Sequence, residues 1–188
     1  VAPGDLLVFT TRRSHAVQFY HCASVRVEDV TIYTAPSAGV LCRYMGGENY
    51  FRYTIERGPR PAGATQERLL STGADGFNYA VARRGPALEG CRFSFMGDDS
   101  VNFHGQAFPI LDQDGGKTLW IASRWEGALE AVAGMVLPGD RVEVLTLGSF
   151  AEAGEAPLLR MVPDDSRLGQ VHGLSVAEWR FPKGTKGV

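Results

Sequence analysis

Two adjacent carboxylates in Gly97-Asp98-Asp99-Ser100-Val101-Asn102-Phe103-His104-Gly105, and a third in Ser71-Thr72-Gly73-Ala74-Asp75-Gly76-Phe77-Asn78-Tyr79, are the residues best able to do chemistry here. Asp98 and Asp99 follow Asp75 by 23 and 24 residues. Carboxyls crowded together cannot all ionise at the same pH, which leaves one group able to donate a proton beside another able to accept one. Glycoside hydrolysis uses such a division, with carboxyls roughly 6.5 to 9.5 Å apart for inversion and about 5 Å apart for retention. Each part also has a plainer reading. Gly-Asp-Asp and Asp-Gly are common turns, clustered carboxylates suit calcium, Asn102 fits an asparagine ladder, and His104 fits a strand cap.

Three distant acids can meet only if the chain returns at the same interval. Thr31-Ile32 recurs as Thr54-Ile55, 23 residues on, and Ile32–Val40 overlays Phe93–Val101 at an offset of 61. Fixed spacing of this order marks a stacked solenoid. The runs Asp5–Phe9, Val25–Tyr33, Tyr50–Ile55 and Cys91–Phe95 are β-rich, and turn residues separate them without a two-residue hairpin. The reading is an all-β chain whose residues 1–105 form a right-handed parallel β-helix. Its interior ladder is Val25, Val27, Val30, Ile32, Phe51, Tyr53, Ile55, Cys91, Phe93, Phe95, Val101 and Phe103; a β-sandwich of the same strands is the alternative. Strand parity turns Asp98, Asn102 and His104 outward and gives Asp99 interior parity, so the backbone must bend at Gly97-Asp98-Asp99 or supply Asp99 with donors.

After Gly105 the texture changes. Ile110–Ile121 reads as a hairpin across Asp114-Gly115-Gly116, Val136–Leu145 as a turn and an alternating strand, and Trp179-Arg180-Phe181-Pro182 as a last strand. Residues 106–188 are therefore read as a small antiparallel β-barrel or sandwich, inserted or appended, with Glu126–Val136 open to a short helix.

The 188 residues are 44% hydrophobic and carry 19 basic against 21 acidic side chains, which gives no electrostatic footprint for nucleic acid or an anionic membrane. No apolar run is long enough to span a bilayer, and Val1–Asp5 is not a signal peptide. Cys22, Cys42 and Cys91 lack metal or redox spacing; they read as small buried hydrophobes, with a Cys22–Cys42 disulfide as the alternative, and leave the compartment open. Arg12 and Arg13 read as a solvated edge, and Tyr44, Tyr50 and Tyr79 as a sugar-stacking face, a rim of the acidic site or core.

At these residues the chain resembles the right-handed β-helix glycosidases, above all glycoside hydrolase family 110, the α-1,3-galactosidases that remove terminal galactose from blood-group-B-like glycans. Gly4–Val8 resembles that family's entry into the helix, Cys22–Val40 its repeating coil, Thr72–Asp75 its single aspartate, and Gly97–Gly105 its paired aspartates followed by Asn-x-His-Gly. The Gly-His-Gly and Arg-Ile-Lys motifs of the polygalacturonases are absent. The resemblance implies inversion without a metal or other cofactor, Asp98 as general acid, Asp75 and Asp99 polarising the attacking water, and Asn78, Asn102 and His104 as sugar contacts. It also implies a β-barrel interrupting the β-helix at residues 106–188, a glycan substrate, and a secreted or periplasmic bacterial setting. Further coils or self-association are expected to complete the solenoid. A noncatalytic carbohydrate-binding or adhesion β-helix, or another β-helix hydrolase or lyase, is the competing reading.

Overall fold

The computed structural model describes residues 1–123, 127–163 and 171–176. The chain is nearly all β and divides into two units, Val1–Gln106 and Ala107–Val188. Among the described residues no helix is long and apolar enough to cross a membrane.

In the first unit, β1 (Val17–Tyr20), β3 (Val40–Arg43), β5 (Phe77–Ala80) and β8 (Val101–His104) form one parallel sheet in that order. A second parallel sheet pairs β2 (Arg26–Ile32) with β4 (Tyr50–Ile55), and β4 with β6 (Ala87–Leu88) and β7 (Arg92–Phe93). The chain visits the sheets alternately until β6 and β7 share one visit. Registers put Val17, Val40, Phe77 and Val101 in one column and Phe19, Cys42, Tyr79 and Phe103 in another. From the second sheet come Val27, Phe51 and Leu88, and Ile32, Ile55 and Phe93. These columns meet in a core around the fully buried Phe51, whose ring centroid is 5.1 Å from Phe77 and 5.8 Å from Phe19. Period-two alternation explains the choice of residues, since every second side chain of β4 is buried.

The 23-residue interval holds for Val17 to Val40 and for Thr31 to Thr54, and Phe77 to Val101 is 24. The middle interval, Val40 to Phe77, is 37, because extra chain lies between Ile55 and Ser71. The offset of 61 between Ala35 and Met96 is therefore two visits to the sheet, bridged through Thr72.

Several expectations change. Asp5–Phe9 forms no strand, and Leu6, Leu7, Val8 and Phe9 are exposed. Phe95 leaves the interior ladder: its backbone has φ 63°, its side chain is 49% exposed, and the Arg57 guanidinium lies 3.6 Å over its ring. Phe103 keeps its inward direction, edge-on to Phe77 and Tyr79, yet is 53% exposed because β8 is the last strand of its sheet; Val101 is exposed for the same reason. All three cysteines are free, so there is no Cys22–Cys42 disulfide, and Cys42 alone is fully buried. Burial pushes its thiol up to about 12. Tyr79 is core rather than a stacking surface, with its hydroxyl donating to the Arg84 carbonyl.

The second unit is an antiparallel sheet in the order β11 (Arg141–Leu145), β12 (Glu152–Pro163), β13 (Val171–Val176), β10 (Thr118–Ala122), β9 (Ile110–Asp114), with helix α1 (Ala128–Ala133). Gly115 and Gly116 turn the β9–β10 hairpin at φ 52° and 70°, where left-handed backbone matches strand twist. Its core is Leu119, Ile121, Leu129, Val144, Ala156 and Leu158. The sequence reading omitted β12, whose Ala, Gly, Glu and Pro residues are poor strand formers. The strand expected at Trp179–Pro182 lies outside the described residues.

Candidate functional site

The acids stand where the chain enters the first sheet. Thr72 pairs with Met96 and Phe77 with Val101, both 24 apart, so Asp75 lies in step with Asp99 on the next strand. Backbone bonds hold this step: Gly76 N–H donates to the Asp99 carbonyl at 2.8 Å, and Gly97 N–H to the Thr72 carbonyl at 2.9 Å. On the other side Gly39 N–H donates to the Asp75 carbonyl at 2.9 Å. The approach is close enough to require glycine. A Cβ on Gly76 would lie 2.7 Å from the Ser100 carbonyl oxygen, and one on Gly39 would lie 2.7 Å from that of Gly76.

One oxygen from each of Asp75, Asp98 and Asp99 lies within 4.8 Å of the others. Asp75 is buried at 7% exposure, while the backbone bends at Gly97-Asp98-Asp99 and leaves both of those carboxyls exposed, one of the two outcomes that parity allowed. The spacing is tighter than the roughly 6.5 to 9.5 Å expected for inversion. Three carboxylate oxygens so placed also form a donor set suited to a hard divalent cation.

The other expected site residues fall differently. Asn78 is buried at 8% exposure; its Nδ2 donates to Asp75 Oδ2 at 2.5 Å, and its Oδ1 accepts from Arg43 Nη1 at 2.6 Å. Asn102, half-buried, pairs in register with Asn78 on the neighbouring strand. His104 is exposed at the far end of β8, with Nδ1 2.8 Å from the Gly105 carbonyl oxygen.

Three residues missed as part of the site join it. Arg12, read as solvated edge, pairs through Nη1 with Asp98 Oδ2 at 3.0 Å. Arg43 reaches Asn78, and burial holds its guanidinium below the usual range. His15 continues the column: it stands in step with Ala38, whose N–H donates to its Nδ1 at 3.2 Å, so the neutral ring carries its proton on Nε2. Burial, then Arg43, lowers the His15 pKa, against an upward pull from Asp75. His15, Ala38, Asp75 and Asp99 thus form one column; the 23-residue step from His15 to Ala38 was the signal in the sequence, hidden by the longer interval that follows.

No family model matches the chain. Over 113 residues, 59% of its length, the chain is 26% identical to Alpha-1,3-galactosidase B of Bacteroides thetaiotaomicron. The chain spans 18% of that protein's length, so the likeness supports a relation to galactosidases and goes no further.

Proposed function

We propose that this chain carries the acidic centre of a glycoside hydrolase that removes a terminal α-linked galactose from a glycan with inversion. In this reading the two parallel sheets are faces of a right-handed β-helix, and residues 106–188 are the small β-barrel that interrupts it. One observation carries the proposal: Asp75, from an earlier strand, is in step with Asp99, and the three carboxyls lie within 4.8 Å of one another. The 26% identity to part of a galactosidase supports the substrate class.

Asp98 is assigned as general acid. Its proton passes to the glycosidic oxygen as the bond to the anomeric carbon breaks, water adds to that carbon, and the water's proton goes to the Asp75–Asp99 pair. The acid role requires Asp98 to leave its exposed pairing with Arg12 when sugar binds. Inversion further requires Asp98 to stand off from the pair by roughly 6.5 to 9.5 Å once sugar and water are in place. A secreted or periplasmic location follows from the substrate class alone.

The test uses Asp75→Asn, Asp98→Asn and Asp99→Asn in the full-length protein with a chromogenic α-galactoside. Each is expected to lower kcat/KM by about 10²- to 10⁴-fold, and treatment with a chelator should leave the wild-type rate unchanged. Proton NMR of the first-formed sugar should show β-galactose. The α-anomer would replace inversion by retention. Undiminished cleavage by all three variants would remove the mechanism, and binding without cleavage by the wild type would favour the adhesion reading.

A further inference from the structure

Asp75 is a buried carboxylate, and a buried charge is costly unless hydrogen-bonded. Arg43 is also largely buried, and among the described residues it makes no ion pair. The Asn78 amide bridges them. Arg43 Nη1 donates to Asn78 Oδ1 at 2.6 Å and to the Cys42 carbonyl at 2.8 Å, while Asn78 Nδ2 donates to Asp75 Oδ2 at 2.5 Å. Only this orientation of the amide works. Reversed, it would set a carbonyl oxygen against the carboxylate and an NH₂ against the guanidinium, an unfavourable contact at each end.

We propose that Asn78 and Arg43 are positioning residues for Asp75: the amide, oriented by the guanidinium, fixes the Asp75 carboxylate beside Asp99 and does not contact the sugar. The assignment revises the expectation that Asn78 binds substrate, and it rests on the proposed hydrolase reading for its catalytic meaning. The register supports it. Arg43 and Asn78 come from neighbouring strands of one sheet, two positions out of step, a diagonal that a guanidinium can span. Both ends of the Asn78 amide are engaged and the residue is buried, which leaves its neighbour in register, Asn102, as the more accessible of the two amides.

The KM-against-kcat split tests this in the full-length protein. Asn78→Ala should lower kcat by about 10²-fold, the effect of misplacing a reacting group by about 1 Å, with KM nearly constant. Asn78→Asp, the same shape with an oxygen facing the carboxylate, should be at least as impaired. Arg43→Lys should retain more activity than Arg43→Met. A raised KM with kcat preserved would restore Asn78 as a sugar contact and overturn the proposal; so would wild-type activity in Asn78→Asp, or equal kcat losses in all four variants that track loss of folded protein. A separate measurement keeps this inference distinct from the hydrolase reading. The Asn78 side-chain amide proton should resonate downfield of ordinary amides by NMR and return to the common range in Asp75→Ala. If the wild type cleaves no glycoside but this shift is present, the hydrolase reading falls and the positioning stands; if the shift is absent, the positioning falls whatever the activity.

Discussion

The two units of this chain are built from strands of opposite habit. In Val1–Gln106, strands pair in parallel with partners 23 to 38 residues away, so a position is stacked on its equivalent from another part of the sequence. In Ala107–Val188, pairing is antiparallel, and hairpin turns such as Gly115-Gly116 set the register locally. The acidic cluster belongs to the first habit. Parallel stacking gathers His15, Ala38, Asp75 and Asp99 into one column although 84 residues separate the first from the last. A hairpin brings together only what already lies close in sequence.

Four measurements break or sharpen this contrast. The largest effect is expected in the core of the parallel unit. Phe51 meets the rings of Phe19, Tyr53 and Phe77, so Phe51→Ala should cost about 3–5 kcal/mol of stability by urea denaturation. Leu119→Ala, in the antiparallel core, should cost less, toward the lower end of about 2–5 kcal/mol, since fewer aromatic contacts converge there. Equal losses would remove the distinction between stacked columns and a hairpin sheet.

Next come the glycines. Gly76→Ala puts a methyl against the Ser100 carbonyl within the stack, and about 1–3 kcal/mol is expected together with loss of activity. Gly115→Ala meets no neighbouring atom and should cost only the left-handed backbone penalty of about 1–2 kcal/mol, with activity intact. Loss of activity in Gly115→Ala alone would reverse the assignment of chemistry to the parallel unit.

Alkaline pH gives a third handle. Burial raises the Cys42 thiol from 9.0 and the Tyr53 hydroxyl from 10.0, each to about 12, so the unfolded chain gives up these protons first. Their contribution to stability is full below about pH 9 and falls as pH rises toward 12. Thermal melts at pH 8 to 11 should show this decline, and Cys42→Ala should flatten its lower part.

The smallest effect is at the surface. Arg12–Asp98 is an exposed ion pair, and a double-mutant cycle should return at most about 1 kcal/mol, vanishing in molar salt. A larger, salt-resistant coupling would make Arg12 a structural part of the acidic site.

Much of the parallel unit was legible because its period is written in residue types. Thr31-Ile32 and Thr54-Ile55 do pair, and the 24-residue step from Asp75 to Asp99 is the spacing of neighbouring strands. The 37-residue interval was not legible, since the extra chain before Ser71 bears no strand pattern to count from. Phe95 was misplaced because alternation assumes continuous extended backbone, which its positive φ interrupts. β12 was overlooked because pairing on both sides, with β11 and β13, overrides weak strand propensity.

By itself the sequence determined the all-β character, the near-constant return interval and the three acidic residues that it brings together, because strand alternation and spacing are local properties of the chain. Only the tertiary structure decided that Asp75 is buried while Asp98 and Asp99 are exposed, that Arg12 pairs with Asp98, and that Asn78 turns inward between Arg43 and Asp75. Burial and hydrogen-bond partnership depend on what the neighbouring strands present, and no window along one strand contains that information.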